Sequence, residues 1–170
     1  MESFTAADLE RDLEQLADLL HACVQAGASV GYVLPFGREA AARFWREGVC
    51  PALHGGGRLV LVAREEGRIA GTVQLDLDTP PNQPHRAEAK KLLVHPDFRR
   101  RGLARALMDE LEKRARAMGR SLITLDTRTG DVAEPLYASL GYAIAGTIPG
   151  YCLDPVCGAL DSTTIMYKAL

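Results

Sequence analysis

No apolar run in this chain approaches the ~18 residues that a membrane-spanning helix needs. A secretory leader is not seen either. Residues Met1 to Glu14 are polar and acidic, with no basic stretch followed by an apolar one, so a cytoplasmic protein is expected. Charge of one sign is also lacking: 20 Lys and Arg stand against 22 Asp and Glu, a net charge of -2. That argues against a general nucleic-acid binder but leaves room for a local basic patch. Cysteine is sparse. Cys23, Cys50, Cys152 and Cys157 contain no CxxC pair, and the last two are not at a usual zinc spacing, so reduced thiols are expected. His21, His54, His85 and His95 form no HExxH or paired-ligand pattern, and no metal is expected.

What is present is an ordinary globular composition, 47% hydrophobic over 170 residues. One domain spanning residues 1–170 accounts for that length. Leu9, Leu13, Leu16, Leu20 and Val24 recur at helical spacing and predict a helix over residues 6–26, stopped by Gly27. Arg38 to Val49 predicts a second helix, with Ala41, Phe44 and Trp45 inward. After Gly55-Gly56-Gly57 the period changes to that of strands. Arg58–Arg64 and Arg68–Asp76 flank the turn Glu65-Glu66-Gly67 as an antiparallel hairpin. Arg86–Val94 is a third strand, beyond a proline-rich loop. Gly102–Met118 is a helix with Leu103, Leu107, Leu111 and Ala115 as its stripe. Ser121–Thr127 is a strand. Asp131–Leu140 is a short helix in which Asp131 and Glu134 resemble a capping box. Tyr142–Ile148 and Thr163–Lys168 complete an α+β (mixed α/β) order around one sheet.

One segment carries chemistry: Val94-His95-Pro96-Asp97-Phe98-Arg99-Arg100-Arg101-Gly102-Leu103-Ala104. A strand ends, Pro96 blocks its continuation, and a helix opens at a glycine after three arginines. The first amides of a helix lack internal partners, and with the helix dipole they attract anions. Gly102 would let a pyrophosphate approach the backbone. The same arginines also read as a solvated charge cluster. The loop is neither a Walker A sequence nor GxGxxG, so the residues alone do not name the anion.

Arg99-x-x-Gly102-x-Ala104 resembles the Q/R-x-x-G-x-G/A pattern of the GNAT acetyltransferases. Ala133-x-x-Leu136-Tyr137-x-x-Leu140-Gly141-Tyr142 is similar to their downstream A-x-x-[LF]-Y segment. Shorter runs extend the likeness over most of the chain toward the tabtoxin-resistance acetyltransferases, among them Gly27-Ala28-Ser29-Val30-Gly31-Tyr32, Arg86-Ala87-Glu88, Leu125-Asp126-Thr127 and Pro149-Gly150-Tyr151-Cys152. The resemblance implies a central mixed sheet flanked by about four helices. The first strand should be short or missing, since residues 1–5 leave little room. An asparagine common in the family is replaced by Gly130, so one side-chain contact to pantetheine is expected to be lost.

The resemblance further implies acetyl-CoA as co-substrate, without a metal, and transfer of its acetyl group to an amine. Backbone groups of Leu92, Leu93 and Val94 would meet the pantetheine. Arg99, Arg100, Arg101, Gly102, Leu103, Ala104 and Arg105 would hold the pyrophosphate. Tyr137 would contact the CoA sulfur and protonate the leaving thiolate. An alkylamine of pKa about 10.4 must lose a proton before it attacks, and Glu88 or Asp126, directly or through water, are the candidate bases. Tyr32, Asp76, Glu88, Asp126 and Tyr151 are candidates for the acceptor pocket. A small amine is the leading acceptor. A peptide amine, or acyl-CoA binding without catalysis, is the alternative. A homodimer is the partner expectation.

Overall fold

A computed structural model describes residues 1–170. Seven strands form one sheet in the order β1-β2-β3-β4-β5-β7-β6. They are β1 (Glu2–Phe4), β2 (Arg58–Glu65), β3 (Arg68–Asp76), β4 (Arg86–Val94), β5 (Leu122–Arg128), β6 (Ala143–Leu153) and β7 (Leu160–Ala169). Every neighbouring pair is antiparallel except β4 and β5, which are parallel. A right-handed crossover of this kind needs a helix on one face, and α5 (Leu103–Ala117) supplies it. Alternation sorts the side chains. Leu59, Leu61, Val73, Leu75, Ala87, Ile123, Leu125 and Met166 pack under α5 and α6 (Ala133–Ser139). Val60, Val62, Ile69 and Leu93 face the opposite layer, made of α1 (Ala6–Arg11), α2 (Leu13–Gln25), α3 (Arg38–Arg43) and α4 (Cys50–His54).

The first strand exists, but only as three residues. Phe4 holds it, buried against α1 and α2. The expected helix over 6–26 is two helices, because Asp12 leaves helical geometry between them. Its carboxylate accepts from Arg11 Nη2 at 2.8 Å and from Arg64 Nη2 at 2.6 Å on β2. That split makes the helix count five rather than four, taking α3 and α4 as one rod joined by a π-helical stretch, Phe44–Val49. Trp45 is fully buried there and donates from Nε1 to Leu16 O at 2.9 Å. The capping box at Asp131 and Glu134 does not form. Glu134 instead accepts from the amide of Gly130 at 2.9 Å, where φ is +75°, and Asp131 accepts from Val132 N. A complete capping box stands at Thr5 and Asp8, opening α1. No helix is long and apolar enough to cross a membrane.

Candidate active site

The sheet opens where its two parallel strands part. β4 and β5 pair only at Arg86–Leu122, Ala87–Ile123 and Glu88–Thr124. Beyond these, β4 continues to Val94 and β5 to Arg128 without partners on their facing edges. A bulge in β4 helps turn it away. Lys91 has φ +52°, and the register with β3 slips between Thr72 and Gln74. Gly71 lets the far end of β4 lie close to β3 and α5: a Cβ there would meet Leu93 O at 2.8 Å.

At the top of this opening the arginine loop meets α5. Arg100 and Gly102 both take positive φ, at +64° and +82°, and turn the chain into the helix. Gly102 offers no side-chain cap and the first turn of α5 carries no acidic residue. No hydrogen bond within the protein uses the amides from Arg100 to Arg105; the first bond of the helix runs from Ala106 N to Gly102 O. Unused amides, a helix dipole and uncancelled arginines make this an anion cradle. Arg99 and Arg100 are exposed, while Arg101 lies over the Phe98 ring at 5.2 Å. Arg105 reaches α6 by donating to Ser139 Oγ at 2.6 Å. Leu103 and Ala104 are half-buried in the first turn. Along β4, Leu93 is paired to β3, and Val94 O already accepts from Cys23 Sγ at 3.4 Å and Arg99 Nε at 3.3 Å. Burial pushes the Cys23 thiol up to about 11.

Tyr137 stands on α6, packed edge-on against Tyr142 with ring centroids 5.8 Å apart. Its hydroxyl makes no hydrogen bond within the protein, yet it is not among the polar atoms sealed from solvent without a partner, as the Tyr142 hydroxyl is. The hydroxyl therefore keeps some exposure and an unused donor. Burial first, then the charges of Asp126 and Asp131, raise its pKa, so the group stays protonated. Asp126 is exposed on β5, beyond the last β4–β5 pair, and forms no ion pair; it accepts only from Thr163 Oγ1, at 3.3 Å. Glu88 lies within the paired segment and is 3.4 Å from Lys90 Nζ. Asp76 is held between Arg58 at 2.8 Å and Lys90 at 2.9 Å.

Of the remaining acceptor candidates, Tyr32 packs in the layer opposite α5. Tyr32 belongs to an aromatic cluster, 4.4 Å from Phe36 and 6.0 Å from Phe44. Tyr151 projects from the exposed strand β6. The loop carrying Tyr32 is tied to the β6–β7 turn: Leu34 N donates to Pro155 O at 2.9 Å. It is tied to the β4 bulge as well, where Lys91 Nζ donates to Val30 O at 2.7 Å. Sequence reading did not single out Lys91. It falls only within the run Lys91-Leu92 that resembles the tabtoxin-resistance group, on a strand that also carries Arg86, Glu88 and Lys90. No cluster of side chains suited to a metal is found.

Comparison with known proteins agrees with this geometry. The chain matches the family model described as Acetyltransferase (GNAT) family over residues 14–142. It is 36% identical over 126 residues to an uncharacterized N-acetyltransferase of the hisH-hisA intergenic region of Azospirillum brasilense, covering 73% of each chain. In fold it is similar to the ribosomal-protein-alanine N-acetyltransferase of Brucella melitensis, at TM-score 0.80 and 23% identity over 100% of both chains. A putative acetyltransferase of Salmonella typhimurium, yncA, solved with its cofactor acetyl-CoA, superposes at TM-score 0.78 with 20% identity, covering 100% of this chain and 94% of that one. The splayed parallel strands and the open amides before α5 thus sit within a matched family of acetyl-CoA-dependent enzymes, and this chain belongs to it as a GNAT acyltransferase.

Proposed function

We propose that the protein transfers the acetyl group of acetyl-CoA to the primary amine of a small molecule by direct attack. The carrying observation is the opening between β4 and β5, with unused amides at the start of α5; Tyr137, which feels the charge of Asp126 on β5, would flank it. The amides from Arg100 to Arg105 would hold the pyrophosphate. The unpaired edge of β4 near Leu92 would run along the pantetheine. With Gly130 in place of a polar side chain, that arm relies on backbone contacts.

Asp126 is the better base of the two carboxylates. It has no cation to hold it and lies within the opening, whereas Glu88 is engaged by Lys90 in the paired segment. Asp126 takes a proton from the ammonium. The amine nitrogen then bonds to the thioester carbonyl carbon, the C–S bond breaks, the thiolate receives the Tyr137 proton, and the second proton shed by the acylated nitrogen returns to the tyrosinate directly or through water. The raised tyrosine pKa keeps the hydroxyl protonated until the thiolate forms, and at the same time makes it a weaker acid than a matched donor. Thiol release across a panel of small amines tests the reading. Asp126→Asn should lower kcat about 100-fold. Full turnover in that variant would remove Asp126 from its role, and acetyl-CoA binding with no amine acetylated would favour a binding module.

A further inference from the structure

Lys91 is a half-buried cation without an ion-pair partner. Burial pushes its pKa below the ordinary lysine value, despite the opposing charge of Asp126. Of its three donor protons one is used, on Val30 O. The neighbouring charges are settled among themselves: Lys90 with Asp76 and Glu88, Arg58 with Asp76. The Lys91 ammonium has only the Phe44 ring beside it, 5.8 Å to the centroid. It also sits at a backbone conformation that a glycine would adopt without strain, at φ +52°. The side chain is therefore what this position contributes. Above it lies Gly31, where a Cβ would stand 3.5 Å from Nζ, so the absence of a side chain there leaves the ammonium uncovered on that side. A half-buried ammonium with no counterion gains from an anion placed beside it. On β5 the Asp126 carboxylate is exposed and free of any ion pair, open to a substrate ammonium, and its field is felt at Lys91.

We propose that the acceptor is a zwitterionic amino acid, its amine directed to Asp126 and its carboxylate bound by Lys91 beneath the loop of Val30 and Gly31. This rests on the acetyl transfer proposed above and specifies its substrate class. An acceptor with both charges would satisfy both groups at once, while a plain alkylamine would leave the ammonium unanswered. Lys91 also carries the loop through Val30, so a bound carboxylate would settle the wall that contains Tyr32.

The test compares amino acids with their carboxamides, which keep the amine and lose the negative charge. Thiol release from acetyl-CoA should show at least one amino acid used about 10-fold better than its amide, in kcat/KM. In Lys91→Met that ratio should fall toward one, chiefly through KM, and Lys91→Arg should retain part of it. A second measurement is independent of turnover: the same amino acid should raise the Tm of the CoA-loaded wild type and not that of Lys91→Met. Equal use of acid and amide by the wild type overturns the proposal, as does an unchanged ratio in Lys91→Met. If nothing is acetylated but the Lys91-dependent rise in Tm persists, the binding assignment stands and the catalytic reading falls. If neither is seen, both fall.

Discussion

Replacing Gly71 with alanine tests whether the opening depends on close packing behind it. Gly71 is buried on β3, opposite Val94, and its φ is not positive, so the backbone tolerates alanine and the whole effect is steric. The added Cβ would lie 2.8 Å from Leu93 O, 3.2 Å from Leu107 Cδ1 and 3.5 Å from Val94 Cγ2. The leucine tip can rotate away. The carbonyl belongs to the β3–β4 ladder and can only move with its strand, by about half an ångström. Overpacking of this kind costs about 1–3 kcal/mol. Relief of unfolded-chain entropy on changing glycine to alanine returns about 0.4–1 kcal/mol. A net loss of about 1.5 kcal/mol lowers Tm by about 3–6 °C in a chain of this length. Because Leu93 and Val94 end the strand that borders the opening, acetyl-CoA affinity should fall at least about 5-fold, measured by calorimetry. Gly146→Ala is the control: nothing lies within 4 Å of its Cβ position, and it should leave both quantities unchanged. Wild-type Tm and acetyl-CoA affinity in Gly71→Ala would refute the argument that this glycine shapes the cleft.

Tyr137→Phe should lower kcat about 10- to 100-fold while leaving Tm within about 1 °C, because the hydroxyl has no hydrogen bond in the protein to lose; a fall in Tm with kcat intact would reverse the assignment. Thiol labelling at pH 8 should modify exposed Cys157 quickly and leave Cys23 protected, since that thiol is buried and raised to about 11. Asp12 and Asp76 are held below the ordinary carboxylate pKa: burial opposes this, and their arginine and lysine partners prevail. Their contribution to stability is therefore whole above about pH 4 and is lost as pH falls through the lowered values. Tm should accordingly drop less steeply below pH 4 in Asp12→Asn than in the wild type. Strand β6 is an exposed edge carrying Ile144, Ile148 and Tyr151, and sedimentation should show a homodimer that Ile148→Lys converts to monomer.

Local signals in the sequence mark most of the elements, and they fail where a distant partner decides. The stripe Leu9, Leu16, Leu20, Val24 is helical throughout, yet the helix breaks at Asp12. Arg64, which binds that carboxylate from β2, is 52 residues away. Asp131 and Glu134 have the spacing of a cap, but Gly130 at positive φ draws the Glu134 carboxylate to its own amide. The arginine loop was legible because everything it needs is contiguous: a proline to stop the strand, a glycine to turn, and a helix to leave its amides open.

The acceptor side was not legible for the opposite reason. It is assembled from the loop after α2, the middle of β4, the end of β5 and the β6–β7 turn, and no spacing in the sequence joins them. The structure joins them through the bulge at Lys91. The irregular residue shifts the β4 register and lets the strand part from β5, which makes room for the donor. It also carries its own side chain to Val30, which ties the loop of Tyr32 to β4. In the proposed reaction one backbone irregularity would serve both substrates and couple the geometry of the two sites. A substitution that flattens the bulge should disturb acetyl-CoA affinity and acceptor choice together, whereas Lys91→Met, which keeps the backbone, should disturb acceptor choice far more than acetyl-CoA affinity.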